Sequence, residues 1–236
     1  MKNGTERLAV ITGGGTGLGL GCAKRFLAAG YRVIALGRDA EDLPNDPMFD
    51  YRPFDVTDPH AVETFASGVP SLDALVNAAG IILYECREHE ENGFDRVMDV
   101  NVGGTRRMAY ALRGALAERG GAVVNFCSMW SLFGSGRNPA YSTSKGAVLQ
   151  LTKSLAVAWA QDGVRVNAVA PGWVKSRMSH QAMTDPVRSA PTLARIPMQR
   201  WGEPGEVGDV VLFLCSPQAS YVTGAMLPVD GGFSIS

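Results

Sequence analysis

Residues 11–21 read ITGGGTGLGLG, six glycines in eleven positions directly after the apolar run Leu8-Ala9-Val10-Ile11. A strand that enters a glycine loop and then a helix is the layout of a phosphate cradle, because bare backbone N–H groups can face an anion there. Neither common phosphate-loop spacing is present. In the dinucleotide pattern G-x-G-x-x-G, Gly13 and Gly15 would need a glycine where Leu18 stands, and Gly15 and Gly17 one where Leu20 stands. The P-loop pattern fails because no lysine follows Gly19. The loop is either a decoy or belongs to a different nucleotide-binding design.

Outward from the loop, short apolar runs alternate with longer stretches of helical period. Strands are expected at Arg7–Ile11, Arg32–Leu36, Asp50–Phe54, Ala74–Asn77, Ala122–Phe126, Arg165–Ala170 and Ala225–Val229. Between them, Gly17–Ala29 has helical spacing and stops at Gly30, and Pro204–Leu214 starts with proline in a first turn. Gly93–Arg119 and Ala140–Gln161 are the two longest helical stretches. This alternation predicts an α/β fold over 1–236 as a single domain, a doubly wound seven-stranded parallel sheet flanked by helices. In such sheets ligands sit beyond the carboxyl ends of the strands. The glycine loop and the ends of the fourth and fifth strands then share one rim.

Composition narrows the partners. With 46% hydrophobic and 19% charged residues the chain can bury a large core. A net charge of −1 recommends neither nucleic acid nor an anionic membrane. No apolar stretch approaches a bilayer span, and MKNGTERL lacks the apolar segment of a signal peptide, so a soluble, cytoplasmic protein is expected. Cys22, Cys86, Cys127 and Cys215 lie far apart and are expected to be buried free thiols. His60, His89 and His180 are equally scattered, and no metal site is expected.

Three stretches on the rim carry polar chemistry. In Tyr141-Ser-Thr-Ser-Lys145 a helix would put phenol and ammonium on one face. A free phenol titrates near 10; bringing it near 7 takes roughly 4 kcal/mol, which a partly desolvated lysine together with a cofactor's positive ring could supply. Taken alone, the pair reads more simply as a surface Tyr and Lys on an ordinary helix. Ser128, just past Ala122–Phe126, could donate to a substrate oxygen or merely form a turn; no G-x-S-x-G surrounds it, which argues against a hydrolase nucleophile. Asn77-Ala-Ala-Gly80 would let something flat lie close over the backbone, or is a tight turn.

Together these motifs resemble the short-chain dehydrogenase/reductase family, in its shorter branch, over essentially the whole length. Thr12-Gly13-x-x-x-Gly17-x-Gly19 is similar to the family's T-G-x-x-x-G-x-G loop, whereas Thr16 excludes the longer branch's T-G-x-x-G-x-x-G. Asn77-Ala78-Ala79-Gly80 resembles N-[NA]-A-G, and Asn101 matches a helix asparagine. Ser128 lies thirteen residues before Tyr141, with Lys145 following. Pro171-Gly172-Trp173-Val174 with Ser176 resembles P-G-x-V-x-[TS], and Val229-Asp230-Gly231-Gly232 the C-terminal D-G-G stretch.

The resemblance implies a Rossmann-type fold and a nicotinamide-dependent interconversion of a carbonyl and a secondary alcohol. Tyr141 would be general acid or base, Lys145 would lower its pKa and hold the nicotinamide ribose, and Ser128 would polarise the carbonyl. Asn101, through a kinked helix and a water, would join Lys145 to a proton relay. The cofactor would contact the loop at Thr12, Gly13, Gly15, Thr16, Gly17, Leu18 and Gly19. Its adenosine half would meet Asn77, Ala78, Ala79 and Gly80, and its adenine Asp55 and Val56. Pro171, Gly172, Val174 and Ser176 would line the nicotinamide. Gly13 would serve the turn, Gly17 the approach to pyrophosphate and Gly19 helix packing, with Gly14, Gly15 and Gly21 as permissive extras.

Cofactor choice is read at residues 37–39. Relatives preferring NAD carry aspartate at the position of Gly37; glycine there with Arg38 next favours NADP(H) over NAD(H), although Asp39 could still reach a ribose. An NAD-dependent dehydrogenase of a polyol or hydroxy acid is the alternative. A non-catalytic nucleotide sensor is disfavoured because Asn101, Ser128, Tyr141 and Lys145 are all present. The substrate-binding region is placed at 176–200, where Arg177, Arg188, Arg195 and Arg200 face one acid, Asp185; exposed lid arginines are the simpler reading than an anionic substrate. Trp130, Phe133 and Trp173 are pocket-wall candidates. Val148, Leu151, Leu155 and Trp159 suggest a second apolar helix face and so subunit contact. The family pattern implies a homotetramer, or a homodimer, acting on a small-molecule substrate.

Overall fold

The computed structural model describes residues 6–236. Seven strands form one parallel sheet: β1 (Arg7–Thr12), β2 (Tyr31–Gly37), β3 (Phe49–Pro53), β4 (Ala74–Asn77), β5 (Ala122–Phe126), β6 (Arg165–Pro171) and β7 (Met226–Val229). Their order across the sheet is β3-β2-β1-β4-β5-β6-β7, so the chain reverses direction of travel between β1 and β4. That reversal opens a crevice at the carboxyl ends, the rim expected to hold the site.

The sheet is covered on both sides, which is why its strands read as apolar runs rather than alternating ones. Successive residues of β1 separate: Ala9 and Ile11 join the core under α1 (Gly17–Ala28) and α9 (Pro204–Cys215), Val10 the core on the opposite face. Phe26, Val207 and Leu214 fill the first layer. The second holds Val62 of α2 (Pro59–Ser67), Met108 of α4 (Thr105–Ala111), Leu116 of α5 (Arg113–Ala117) and Leu155 and Trp159 of α6 (Pro139–Trp159). Each fully buried Phe26, Leu75 or Leu116 side chain contributes roughly 1.5–3 kcal/mol against leaving it in water.

Several expectations are corrected. The stretch 93–119 is not one helix. It runs as α3 (Glu91–Met98), a π-helical turn at Asp99–Gly104, α4 and, after Leu112, α5. The wide turn seats Gly104 against Val56, whose Cγ2 would lie 2.5 Å from an added Cβ, and Thr105 Oγ1 donates back to the Asn101 carbonyl at 2.8 Å. Helix α2 was not expected; Asp58-Pro59 was its signal, since Asp58 accepts from His60 N and Ala61 N as an N-cap. Of the four free cysteines Cys86 is exposed, whereas the other three are buried. Val148, Leu155 and Trp159 face the core and Leu151 packs against it, so they form no second apolar face; Tyr110 and Val157 are the large exposed apolar residues of α4 and α6. Among the described residues no helix is long and apolar enough to cross a membrane, and no cluster of His, Cys, Asp or Glu could hold a metal ion.

Candidate active site

Parallel register brings the expected motifs side by side. Thr12 pairs with both Leu36 and Asn77, Asn77 with Asn125, and Phe126 with Val169. Beyond these ends lies a groove of about 1100 Å³. Every site residue expected from the sequence lines it except Thr12, Gly15, Asn77 and Asn101. Those four support the wall from behind. Thr12 Oγ1 accepts from Ala79 N at 3.2 Å, joining the exits of β1 and β4. Asn77 turns its side chain into the sheet, donating to Asn125 Oδ1 at 2.9 Å. Asn101, fully buried in the π turn, holds both Ile81 backbone groups (2.8 and 3.0 Å) and donates to Ser144 Oγ at 2.9 Å. Its bonds go to the backbone and to Ser144, not to Lys145; the space where a side chain at Gly80 would project lies 3.2 Å from Asn101 Oδ1 and 3.5 Å from Lys145 Nζ.

The glycines are steric necessities. An added Cβ at Gly13 (φ +67°) would stand 2.8 Å from Ala79 N, and one at Gly19 2.2 Å from the Gly13 carbonyl oxygen. Gly14, Gly15 and Gly21, expected to be permissive, are equally confined: their Cβ atoms would reach Ile11 O at 2.8 Å, Asp39 O at 2.2 Å and Pro204 at 2.7 Å. Gly17 (φ +50°) is the open one, with only Ser176 Cβ at 3.5 Å. Thr16 caps α1 without a side-chain bond and the first turn carries no acid, so the leading N–H groups of α1 are left for an anion. These features fit the pyrophosphate of a dinucleotide.

Ser128, Tyr141 and Lys145 converge on the same groove. Ser128 N-caps a short turn, its Oγ accepting from Trp130 N, while Ser131 Oγ donates to the Lys145 carbonyl at 2.9 Å and ties that turn to α6. Lys145 Nζ lies 5.5 Å from the Tyr141 ring centre and donates to the Phe126 carbonyl at 2.7 Å. Burial pushes the Lys145 ammonium down to about 8. Burial also pushes the Tyr141 phenol up, to about 12, with the Ser128 hydroxyl pulling the other way. The spacing led us to expect the reverse for Tyr141. Desolvation is the largest cause in the chain by itself, and the Lys145 ammonium donates to the Phe126 carbonyl; the expectation counts on a cofactor's positive ring as well.

Comparison with known proteins agrees with this geometry. A family model described as enoyl-(acyl carrier protein) reductase matches residues 13–234. The chain is 40% identical over 240 residues to galactitol 2-dehydrogenase (L-tagatose-forming) of Cereibacter sphaeroides, covering 96% of this chain and 94% of that one. It is 38% identical over 250 residues to 2-(R)-hydroxypropyl-CoM dehydrogenase of Xanthobacter autotrophicus, covering 97% and 99%. The chain belongs to the short-chain dehydrogenase/reductase family. A solved structure of the Pseudomonas aeruginosa RhlG/NADP active-site complex superposes with a TM-score of 0.89 at 31% identity, over 97% of this chain and 96% of that one.

Helices line one end of the groove. The stretch 176–200 folds into α7 (Arg177–Thr184) and α8 (Pro186–Arg195), N-capped by Ser176 and Asp185. Its arginines are largely spoken for. Arg177 bonds Asp39 and Glu41, both at 3.1 Å, Arg195 lies 4.1 Å over the Phe233 ring, and Arg200 pairs with Glu206 at 2.6 Å. Arg188 pairs with Asp185 at 3.4 Å and also lines the groove. Trp130 and Trp173 are on the wall, whereas Phe133 packs beside Ile196 and Phe233 in the core. Sequence reasoning missed Tyr84 and covered Met178 only as part of 176–200: the Tyr84 hydroxyl donates to the Met178 carbonyl at 2.5 Å, bridging the groove from the β4 exit to α7. No local motif marks either residue.

Proposed function

We propose that this protein interconverts a small polar ketone and its secondary alcohol, with Tyr141 as general acid in reduction and general base in oxidation. The observation carrying this reading is the convergence of the Tyr141 phenol, Ser128 and Lys145 on the groove that the glycine cradle enters. A nicotinamide dinucleotide, when bound, supplies or accepts the hydride. Tyr141 delivers or removes the hydroxyl proton, and Ser128 donates to the substrate oxygen as charge gathers on it. Lys145 holds its ammonium beside the phenol below about pH 8, the value to which burial brings it. Trp130, Trp173 and Phe233 give the substrate end apolar faces, and Asn138, Gln181 and Thr192 give it hydrogen-bonding groups, a lining suited to polyols or ketoses such as the galactitol of the relative. A panel of polyols, ketoses and hydroxy acids, followed by nicotinamide absorbance with both cofactors, tests it; absence of turnover across the panel together with tight dinucleotide binding favours a sensing role.

NADP(H) is the preferred cofactor in this reading. Arg38 lines the groove, and its nearest acid, Asp55, is 4.0 Å away, a loose exposed pair that leaves the guanidinium available for a 2′-phosphate. Asp39, the residue that could serve a ribose of NAD, is engaged by Arg177. Arg38→Asp is expected to weaken NADP(H) binding roughly tenfold or more and to favour NAD(H), measured as Kd values by fluorescence quenching. Tighter NADP(H) binding that survives the substitution overturns this use of Arg38. A homotetramer, checked by light scattering, is the assembly this reading carries over from the family; Tyr110, Val157, Phe213 and Tyr221 are exposed on the single chain.

A further inference from the structure

Glu88 is the least expected buried group in the molecule. It lies in the short turn Arg87–His89 with 1% of its surface exposed, and no cation pairs with it among the described residues. Such a carboxylate persists only where other donors satisfy it. Here both are backbone N–H groups: Oε1 accepts from Leu83 N at 2.9 Å and Oε2 from Tyr141 N at 2.8 Å. Two features aim it inward. Glu85 and Cys86 both adopt left-handed backbone (φ +60°), and Gly93 of α3 lets the Arg87 carbonyl press where a Cβ would stand at 1.9 Å.

The N-terminus of α6 otherwise lacks a side-chain cap. Asn138, at the cap position, makes no cap bond and donates instead to the Leu83 carbonyl at 2.8 Å, while Pro139 has no N–H to satisfy. Tyr141, third residue of the helix, offers an early N–H, and Glu88 takes it from outside. The carboxylate therefore does two things at once. It caps the 21-residue helix that carries Tyr141 and Lys145, and it ties that helix to the Leu83 segment beside the groove-lining residues Ile82 and Tyr84.

We propose that Glu88 is a positioning residue for Tyr141, fixing the backbone from which the phenol projects against the wall formed by residues 81–84. The proposal rests on the acid–base role of Tyr141 given above. The Glu88 charge also disfavours ionisation of the phenol, as do Tyr84 and Cys127, while the Ser128 hydroxyl favours it and Lys145 Nζ lies 5.5 Å from the ring centre. Removing that negative charge makes the phenol easier to ionise, so a pH limb set by Tyr141 moves to lower pH.

The test compares Glu88→Gln and Glu88→Asp in the full chain, with galactitol and NADP or NAD as probes. Glutamine keeps the shape but can accept at only one of its two end atoms; aspartate keeps the charge and loses the reach. Glu88→Gln is expected to lower kcat by roughly 10- to 100-fold when assayed well below its Tm, with galactitol KM and dinucleotide Kd close to wild type, a Tm lower by a few degrees for the lost bond, and the limb shifted down. Glu88→Asp is expected to lower kcat and leave the limb in place; it carries the test if Glu88→Gln does not fold. Amide exchange in the free enzyme is expected to quicken at Leu83 and Tyr141 in both variants. Wild-type kcat in either folded variant, or a kcat loss that only follows a falling Tm, overturns the proposal. Because the exchange readout needs no turnover, it separates failure here from failure of the Tyr141 assignment, which Tyr141→Phe decides.

Discussion

Tyr141→Phe is expected to lower kcat by a factor on the order of 10²–10⁴, in either direction of reaction, while dinucleotide binding stays nearly intact. The substitution removes one oxygen from a side chain that is already buried, so the ring continues to pack against Val97, Ala140 and their neighbours. Ser128 keeps its bond with Trp130 N, and the cost to folding is near that of one hydrogen bond, about 1 kcal/mol. What disappears is the group that carries the proton. The pH behaviour follows from burial. The folded chain holds the Tyr141 proton to about 12, above the ordinary 10.0. Its contribution to stability is therefore fully present below pH 10 and is lost as pH rises through about 12. Tyr141→Phe has no such loss, so its Tm is expected to gain on wild type only in that alkaline window. Undiminished turnover in Tyr141→Phe would refute the acid–base assignment.

Gly19→Ala is expected to damage both stability and cofactor binding. The new Cβ would sit 2.2 Å from the Gly13 carbonyl oxygen and 2.6 Å from its carbon, both backbone atoms with no rotamer to escape into. Overpacking of this kind costs about 1–3 kcal/mol or more. In a domain of this size each kcal/mol lowers Tm by roughly 2–4 °C, so a fall of several degrees is expected in thermal unfolding. Relief can come only by lifting the loop or tilting α1, and either spoils the anion-facing N–H groups; the dinucleotide Kd is expected to weaken at least tenfold, about 1.4 kcal/mol. Gly114→Ala supplies the contrast. Nothing lies within 4 Å of its Cβ, so on helix α5 it should stabilise by about 0.4–1 kcal/mol. A Gly19→Ala protein as stable and as tight-binding as wild type would contradict this picture of the cradle.

How far the chain could be read in advance differs from element to element. β4 and β5 match the sequence reading residue for residue, and the other strands to within a residue at either end. A parallel sheet buried on both faces leaves the clearest trace, a β-branched run closed by Gly, Pro or Asn. The π turn at Asp99–Gly104 was not read from the periodicity of 93–119; only the resemblance implied a kinked helix at Asn101. Ser128, Tyr141 and Lys145 were legible through the set of motifs that carries the family resemblance, not from the spacing of any one of them. Their electrostatics were not: the i, i+4 relation promised a cation beside a phenol, and the fold supplied burial as well, enough to reverse the direction of the phenol's shift.

The sequence by itself determined the sheet, the glycine cradle and the residues gathered at its rim, because these depend on local periodicity and on fixed intervals between short motifs. Only the tertiary structure decided which glycines are confined, that Asn77 turns into the sheet, which arginines of α7 and α8 are already paired, and that Glu88 reaches the Tyr141 N–H across 53 residues of chain. Each of these depends on atoms brought together from distant segments, and on whether water is excluded from between them. A linear pattern carries no record of either.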